Sequence, residues 1–161
     1  MHLIVSDIHG SYQGMELVMN AVKTFMPESI ISAGDQCPDP MYSSFYSSLI
    51  AVRGNCDRFY EYMDTPFPPV SREMDIYERH IAITHGDRLS SSDFDLKEGD
   101  IFISGHTHVP LLEKKNGIYF CNPGSPSRPR SSYGPTAAIL DNDHLALISL
   151  MDMHVLKAIN F

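Results

Sequence analysis

Five short apolar runs of this chain each end in a polar residue that can bind a metal ion, and most of these ends carry a neighbouring glycine. The runs are HLIVS (2–6), SIISAGD (29–35), LIAVRGN (49–55), HIAIT (80–84) and DIFIS (100–104). Apolar runs of this length, bounded by turn residues, are typical of buried strands. Because the carboxyl ends of neighbouring parallel strands lie at one edge of a sheet, the pattern predicts that the polar residues converge in one crevice.

The rest of the chain predicts more strands than helices. Apolar residues at helical spacing predict a helix over 14–26, and a short helix is expected around 42–47. The proline-rich segment 64–70 is expected to run over the surface without regular structure. Further strands are predicted at 73–77, 110–115, 118–121, 136–141 and 144–152, with a hairpin turn at Asn116-Gly117. A first half of βαβαβ type and a hairpin-rich second half together indicate an α/β fold with two packed sheets and helices outside.

Length and composition limit the class of protein. The chain has 161 residues, of which 43% are hydrophobic, and this predicts a single domain over 1–161. A net charge of −8 without a long basic run argues against stable nucleic-acid binding. No apolar stretch approaches the ~18 residues of a membrane span, and Met1-His2-Leu3 leads directly into a strand, so we expect no membrane association. Three cysteines without paired spacing indicate a reducing compartment, and we expect a cytoplasmic protein.

The strand ends supply seven candidate metal ligands, each of which is a weak signal alone. An aspartate after a strand is most often a turn or cap residue, and a lone histidine is more often a hydrogen-bonded core residue. The pair His106 and His108 is stronger, because residues two apart on an extended segment point the same way and crowd their imidazoles together. The recurrence at successive strand ends favours a metal site that contains Asp7, His9, Asp35, Asn55, His85, His106 and His108.

Seven ligands are too many for one tetrahedral zinc ion, which takes about four. They suit two divalent ions that share a bridging carboxylate. Imidazole and oxygen donors without thiolate fit Mn²⁺, Fe, Ni²⁺ or Zn²⁺ better than Ca²⁺, and Mn²⁺ is our first expectation. Two such ions, about 3.5 to 4 Å apart, lower the pKa of a bridging water and clamp the oxygens of an in-line phosphoryl displacement. The sequence therefore predicts a binuclear centre for phosphate-ester hydrolysis.

The motifs that carry these ligands resemble those of the calcineurin-like metallophosphoesterases. The resemblance spans nearly the whole chain, and its order and compact length are most similar to the small YfcE-type phosphodiesterase branch, which also includes the retromer scaffold subunit. The matching motifs are DIHG (7–10), GDQC (34–37), GNCD (54–57), THGD (84–87), SGHTH (104–108) and NPGSPSRPR (122–130).

This resemblance implies a four-layer αββα sandwich of two mixed β-sheets. It implies that Asp7, His9, Asp35 and His108 hold one ion, and that Asn55, His85 and His106 complete the second, with Asp35 bridging. The implied reaction is attack of a bridging hydroxide on phosphorus, with Asn55, Asp35 and His85 as the catalytic set. Asn55 and both ions would then stabilise the charge that develops on the phosphoryl group.

One position departs from the wider family. Phosphatase members carry a histidine after the Gly-Asn pair, where it serves as the acid for the leaving group, whereas this chain has Cys56. A neutral thiol is a poorer acid than imidazolium near neutral pH, which weakens the case for a monoesterase. The YfcE-type branch shares this cysteine. Cys56 either borders the substrate or serves as a packing residue.

Four arginines near the motifs are candidates for binding a small phosphate-ester substrate. Arg128 and Arg130 lie in the SPSRPR loop, and Arg53 and Arg58 flank GNCD. A guanidinium donates a fork of N–H groups that matches phosphate oxygens, although a solvated surface role explains any single arginine as well. The position of the loop in the family favours Arg128 and Arg130 as substrate-binding residues.

The expected function is therefore that of a metal-dependent phosphodiesterase. The alternatives are a non-catalytic protein-binding scaffold on the same fold, or a phosphomonoesterase or nucleotide phosphatase on the same centre. A scaffold is free to lose metal ligands, and this chain keeps all seven, which favours the enzyme. The branch also suggests a homodimer or a larger assembly, for which the segment 42–52 could supply an apolar patch unless it belongs to the core.

Overall fold

Two mixed β-sheets pack face to face in the computed structural model, which describes residues 1–63 and 65–161. The first half contains β1 (His2–Val5), α1 (Tyr12–Phe25), β2 (Ser29–Ser32), α2 (Ser43–Ser47) and β3 (Ile50–Ala51). The second half contains β4 (Ser71–Ile76), β5 (Arg79–Thr84), β6 (Ile101–Ile103), β7 (Leu111–Lys115), β8 (Ile118–Asn122), β9 (Thr136–Leu140), β10 (His144–Ser149) and β11 (Val155–Asn160). Short 3₁₀ turns lie at Pro40–Tyr42, Phe59–Tyr62 and Ser91–Asp93. The predicted fold class is confirmed.

The order of the strands brings the predicted ligands to one edge of the sandwich. The six-stranded sheet has the order β11-β10-β9-β1-β2-β3, and the five-stranded sheet has the order β4-β5-β6-β8-β7. Within the first sheet β1, β2 and β3 are parallel, and within the second β5, β6 and β8 are parallel. Each sheet therefore presents the carboxyl ends of adjacent parallel strands together.

Branched aliphatic side chains fill the space between the two sheets. Ile4 and Ile31 project from the first sheet and Ile83 and Ile103 from the second, and all four are fully buried in one cluster. A second cluster lies between the first sheet and α1, where Met15 packs on the outer face. The helix begins two residues before the predicted start, because the Ser11 side chain accepts a hydrogen bond from the backbone N–H of Gly14.

The outer face of the five-stranded sheet is covered by the segment that follows β5. The ring of Phe94 contacts that of Phe102 on β6, which in turn contacts Phe120 on β8. The segment 42–52 belongs to the core, since Phe45 and Tyr46 are buried there. The apolar patch considered for this segment is therefore not a surface feature.

Several predicted strands end earlier than expected, and one strand was missed. The run 144–152 supplies β10 only to Ser149, because the N–H of Met153 donates to the Ser149 carbonyl and closes a turn. The chain then returns as β11, antiparallel to β10, which was not predicted. β3 has only two residues, because the backbone after Ala51 leaves the ladder to form the loop that carries Asn55.

The remaining predictions on loops agree with the structure. Asn116 and Gly117 both adopt positive φ between β7 and β8, as the predicted hairpin requires. The proline-rich segment lacks regular structure over 65–70, and position 64 lies outside the described residues. Among the helices of the described residues, none has the length and apolar character that crossing a membrane requires.

We expect the replacement Ile101→Ala to lower the free energy of unfolding by about 2 to 5 kcal/mol, because a fully buried side chain between the sheets leaves a cavity. The matched control is Val155→Ala on β11, where the side chain is 56% exposed and the loss should stay within about 0.5 kcal/mol. Urea unfolding followed by circular dichroism measures both values. Equal losses at the two positions would contradict this assignment of the core.

Candidate metal centre

The backbone at the strand ends adopts an unusual conformation. Asp7, His9, Asp35, His106 and His108 have φ values of 57°, 52°, 51°, 68° and 60°. Positive φ is uncommon for residues other than glycine and costs of order 1 kcal/mol or more when the surrounding structure enforces it. Five of the seven predicted ligands share this conformation, which turns their side chains into the crevice beyond the strands.

Asp7, His9 and His108 form one buried group at the centre of the crevice. The Nε2 atoms of His9 and His108 face each other at 3.1 Å. Asp7 Oδ1 lies 3.2 Å from His108 Nε2 and 3.7 Å from His9 Nε2, yet it has no hydrogen-bond partner among the described residues. Two ring nitrogens and an unpaired carboxylate oxygen that point at one another are arranged as the ligands of a cation are.

Asp7, Asp35 and His85 form a second buried group beside the first. His85 Nδ1 donates to the Ala33 carbonyl at 2.8 Å, which leaves Nε2 directed at the two carboxylates. That Nε2 atom lies 3.4 Å from Asp35 Oδ2 and 3.9 Å from Asp7 Oδ1, and it also lacks a hydrogen-bond partner among the described residues. The Asp7 carboxylate therefore belongs to both groups, and Asp35 joins the second.

The protonation of these groups follows from burial and from the neighbouring charges. Burial raises the pKa of Asp7 and lowers the pKa of His9 to about 4. Burial opposes the charged form of His85, but the Asp35 and Asp7 carboxylates outweigh it and raise its pKa to about 9. Burial likewise opposes ionisation of Asp35, and the nearby His85 imidazole, at 3.4 Å, outweighs it and lowers the pKa of that carboxyl. The same carboxylates that hold a proton on His85 would hold a metal cation in its place.

Backbone contacts fix which ring nitrogen of each histidine faces the crevice. His108 Nδ1 donates to the Arg128 carbonyl at 2.9 Å, just as His85 Nδ1 donates to Ala33, so that Nε2 is directed into the crevice in both rings. A backbone carbonyl that accepts from one ring nitrogen in this way sets the tautomer of metal-binding histidines in proteins.

Asn55 and His106 lie at the exposed mouth of the crevice. Asn55 Oδ1 is 3.1 Å from His106 Nδ1, and the backbone N–H of His106 donates to Asp7 Oδ2 at 3.0 Å. His106 belongs to neither of the two buried three-residue groups in the described part of the chain. The structure therefore brings all seven predicted ligands to one crevice, five in the two buried groups and two at its rim.

An open pocket of about 430 Å³ lies over these residues, and it also contains the substrate-binding residues predicted from the sequence. The lining residues are His9, Asp35, Asn55, Cys56, His106, Thr107, His108, Arg128 and Arg130. The other two candidate arginines have structural contacts. Arg53 donates to the Pro68 carbonyl and lies over the Phe67 ring, while Arg58 donates to the Asn55 carbonyl.

Cys56 borders the pocket and also supports the site. Its backbone N–H donates to Asp35 Oδ1 at 2.8 Å, and its Sγ accepts from Asn55 Nδ2 at 3.3 Å. Burial and the negative charge of Asp35 raise the pKa of the thiol to about 11, so the sulfur is protonated at neutral pH. Cys56 therefore both borders the pocket and contacts two of the predicted ligands, Asn55 and Asp35.

The glycines beside the ligands make room for them. At Gly34, where φ is 101°, a Cβ atom would lie 2.7 Å from His85 Nδ1. At Gly54 a Cβ atom would collide with the Asp35 carboxylate. The pairing of glycine with a ligand, seen in the sequence, thus reflects the close approach of neighbouring strand ends.

Asp57 is a supporting residue that the sequence analysis quoted within GNCD but did not assign. Its buried carboxylate accepts hydrogen bonds from the backbone N–H groups of Asp35, Cys37 and Gly54, at 2.8 to 2.9 Å, and from the Tyr62 hydroxyl at 2.7 Å. Asp57 thus joins the loops after β2 and β3, which carry Asp35 and Asn55. The sequence signal available for this role was the position of Asp57 two residues after Asn55, a predicted ligand.

The replacement Tyr62→Phe tests this network. It removes the hydroxyl that donates to the buried Asp57 carboxylate and contacts Gln36 Oε1, so we expect a loss of about 1 to 3 kcal/mol in unfolding free energy. Tyr46→Phe is the matched control, because the Tyr46 hydroxyl is buried without a partner among the described residues, and its removal should cost about 0.5 kcal/mol or less. Urea unfolding of both variants measures the difference, and equal losses would argue against the network.

Comparison with known proteins agrees with this geometry. Residues 1–144 match the family model of the calcineurin-like phosphoesterase superfamily domain. The phosphodiesterase YfcE of Escherichia coli K12 is 28% identical over 176 aligned positions, which cover 98% of this chain and 96% of YfcE. A probable metallophosphoesterase of Methanocaldococcus jannaschii, MJ0623, is 30% identical over 138 positions, which cover 79% of this chain and 68% of that protein.

Solved structures show the same fold. The structure of YfcE, described as a phosphoesterase from E. coli, superposes with a TM-score of 0.89 at 26% identity, covering 98% of this chain and 97% of YfcE. Vacuolar protein sorting 29 from Cryptosporidium parvum has the fold at 20% identity, with a TM-score of 0.70 and coverage of 99% and 96%. Because the family model matches most of its length, the chain belongs to the calcineurin-like phosphoesterase superfamily.

Proposed function

We propose that this protein is a metal-dependent phosphodiesterase that uses two divalent ions. The observation that carries the proposal is the set of buried ligand atoms without hydrogen bonds, Asp7 Oδ1 and His85 Nε2, beside the facing Nε2 atoms of His9 and His108. Leaving such atoms unpaired in a protein interior is costly, and a cation removes the cost. Membership of the phosphoesterase family and similarity to YfcE support phosphate-ester hydrolysis as the reaction.

Asp7, His9, Asp35 and His108 would hold one ion, and Asn55, His85 and His106 would complete the second, with Asp35 shared. Imidazole and oxygen donors suit Mn²⁺, with Fe, Ni²⁺ and Zn²⁺ as alternatives. When bound, the ions supply charge neutralisation at the phosphoryl group and a nucleophile at neutral pH.

The residues of the chain position and bind the substrate around these ions. Asn55 lies at the pocket mouth, where its Nδ2 can donate to a phosphoryl oxygen once it leaves Cys56 Sγ. Arg128 and Arg130 line the same pocket and would bind anionic groups of the substrate. The protonated thiol of Cys56 stands where the wider family has histidine, so departure of the leaving group depends largely on its own stability.

The scaffold alternative has weaker support. Vacuolar protein sorting 29 shares the fold, but at 20% identity this similarity concerns the fold alone. The family match and the similarity to the phosphodiesterase YfcE favour an enzyme. A phosphomonoesterase is disfavoured by Cys56. The single domain, the symmetric oligomer and the cytoplasmic location stay predictions.

The metal centre has a direct test. We expect two ions per chain after saturation with Mn²⁺, measured by elemental analysis. We expect His108→Ala and His106→Ala to lower turnover of bis-p-nitrophenyl phosphate at least ~10-fold, since altered metal sites commonly lose that much or more. His154→Ala is the control, because His154 is exposed in a turn where it pairs with Asp152. A saturated protein with one ion or none, or full turnover in either variant, would contradict the assignment.

The role of Cys56 is tested by Cys56→His. General acid catalysis is typically worth ~10² to 10⁴-fold and matters most where the leaving alkoxide is least stable. We therefore expect the variant to improve kcat/KM for an alkyl ester more than for a p-nitrophenyl ester, at equal metal occupancy. Cys56→Ala is the control for loss of the sulfur alone. Equal effects on the two esters would mean that another group already protonates the leaving oxygen.

A further inference from the structure

The arginines of this chain divide into two classes by their contacts. Five arginine side chains bind protein groups: Arg53 binds Pro68 O, Arg58 binds Asn55 O, Arg72 binds Ala51 O, Arg79 binds Gly99 O and Arg88 binds Asp87. Over residues 1–63 and 65–161, the side chains of Arg128 and Arg130 have no hydrogen-bond or ion-pair partner, and both line the pocket over the metal centre. The two unengaged arginine side chains thus both line the pocket at the proposed site.

The backbone that carries these two arginines is fixed to the centre itself. The carbonyl of Arg128 accepts from His108 Nδ1 at 2.9 Å, and the N–H of Arg130 donates to the His108 carbonyl at 3.1 Å. The N–H of Arg128 donates to the buried Ser125 Oγ at 2.9 Å, and Pro129 restricts the backbone between the two arginines. The backbone of both arginines is therefore held beside His108, a candidate ligand.

The pocket offers these guanidinium groups no carboxylate partner among the described residues. Asp35 is the only acidic residue of the pocket lining, and its oxygens face His85 Nε2 and the backbone N–H of Cys56. The two exposed arginines are therefore available to an anionic group of a ligand in this pocket.

We propose that Arg128 and Arg130 form a second anion subsite, which selects phosphodiesters that carry an additional phosphate group. This inference rests on the proposed function and specifies its substrate class. A phosphate monoester carries up to two negative charges near neutral pH and presents oxygens that match the forks of two guanidinium groups. The added phosphate does not react, so its recognition belongs to binding and affects KM more than kcat.

The test compares two matched substrates, the p-nitrophenyl ester of thymidine 5′-phosphate and the same ester with a 3′-phosphate. We expect the Mn²⁺-loaded protein to prefer the 3′-phosphorylated ester roughly 10- to 100-fold in kcat/KM, as charged hydrogen bonds allow. The double variant Arg128→Gln, Arg130→Gln should lose this preference, because its KM for the 3′-phosphorylated ester should rise. The preference of the parent should also fall with added salt, because it is electrostatic.

Lys115→Gln is the control variant, since it removes an exposed positive charge on β7, outside the pocket, and should leave the preference unchanged. The proposal is overturned if the parent shows no preference. It is also overturned if the arginine variant lowers kcat/KM for both esters by the same factor, because the arginines would then bind the reacting phosphate.

A binding measurement separates this inference from the proposed function. Calorimetry compares thymidine 3′,5′-diphosphate with thymidine 5′-phosphate, neither of which needs to be cleaved. We expect the parent to bind thymidine 3′,5′-diphosphate at least ~10-fold more tightly than thymidine 5′-phosphate. We expect the arginine variant to bind the two nucleotides with equal affinity. If neither ester is hydrolysed but the diphosphate preference is present, the hydrolytic function fails while the subsite stands. Equal affinity of the parent for both nucleotides would remove the subsite, whatever the protein hydrolyses.

Discussion

The proposed function depends on a buried cluster of carboxylates and imidazoles, in which Asp7 Oδ1 and His85 Nε2 have no hydrogen-bond partner among the described residues. Asp7 and Asp35 are almost fully buried beside each other, and the Nε2 atoms of His9 and His108 face one another at 3.1 Å. Such groups are each costly to bury without partners. The positive φ angles, the glycines and the loop contacts of Asp57 all serve to hold this arrangement in place.

The ligands come from both sheets, and this links the site to the packing of the sandwich. Asp7 and Asp35 follow β1 and β2 of the six-stranded sheet, while His85 and His106 follow β5 and β6 of the other. The two groups meet only because the aliphatic core between the sheets sets their separation. A change in that core would therefore disturb the metal centre as well as the stability of the protein.

Much of this site could be predicted from the sequence, because its signals are local. Each ligand stands at the end of an apolar run, and the rule that parallel strand ends converge was enough to predict that the seven would meet. The positions of Cys56, Arg128 and Arg130 at the pocket followed from their motifs. The supporting role of Asp57 was missed, since its partners are backbone N–H groups of two separate loops.

The parts of the fold that escaped prediction depend on contacts between distant segments. β11 is the half-exposed edge strand of its sheet and pairs with β10, so its sequence lacks the continuous apolar run of a buried strand. The run after His144 looked like one strand because Leu150 and Met151 are apolar, whereas a backbone turn interrupts it. The early start of α1 depended on a cap by Ser11, which apolar spacing does not reveal.

The claim that a cation completes the buried cluster is tested most directly by the thermal stability of the metal-free protein titrated with Mn²⁺. An ion that binds only the folded state stabilises it by about 2.7 kcal/mol at a concentration 100 times its dissociation constant. We expect Tm to rise with Mn²⁺ concentration in the parent, and far less in Asp7→Asn. A Tm that stays constant in millimolar Mn²⁺, Ni²⁺ and Zn²⁺ would contradict the account.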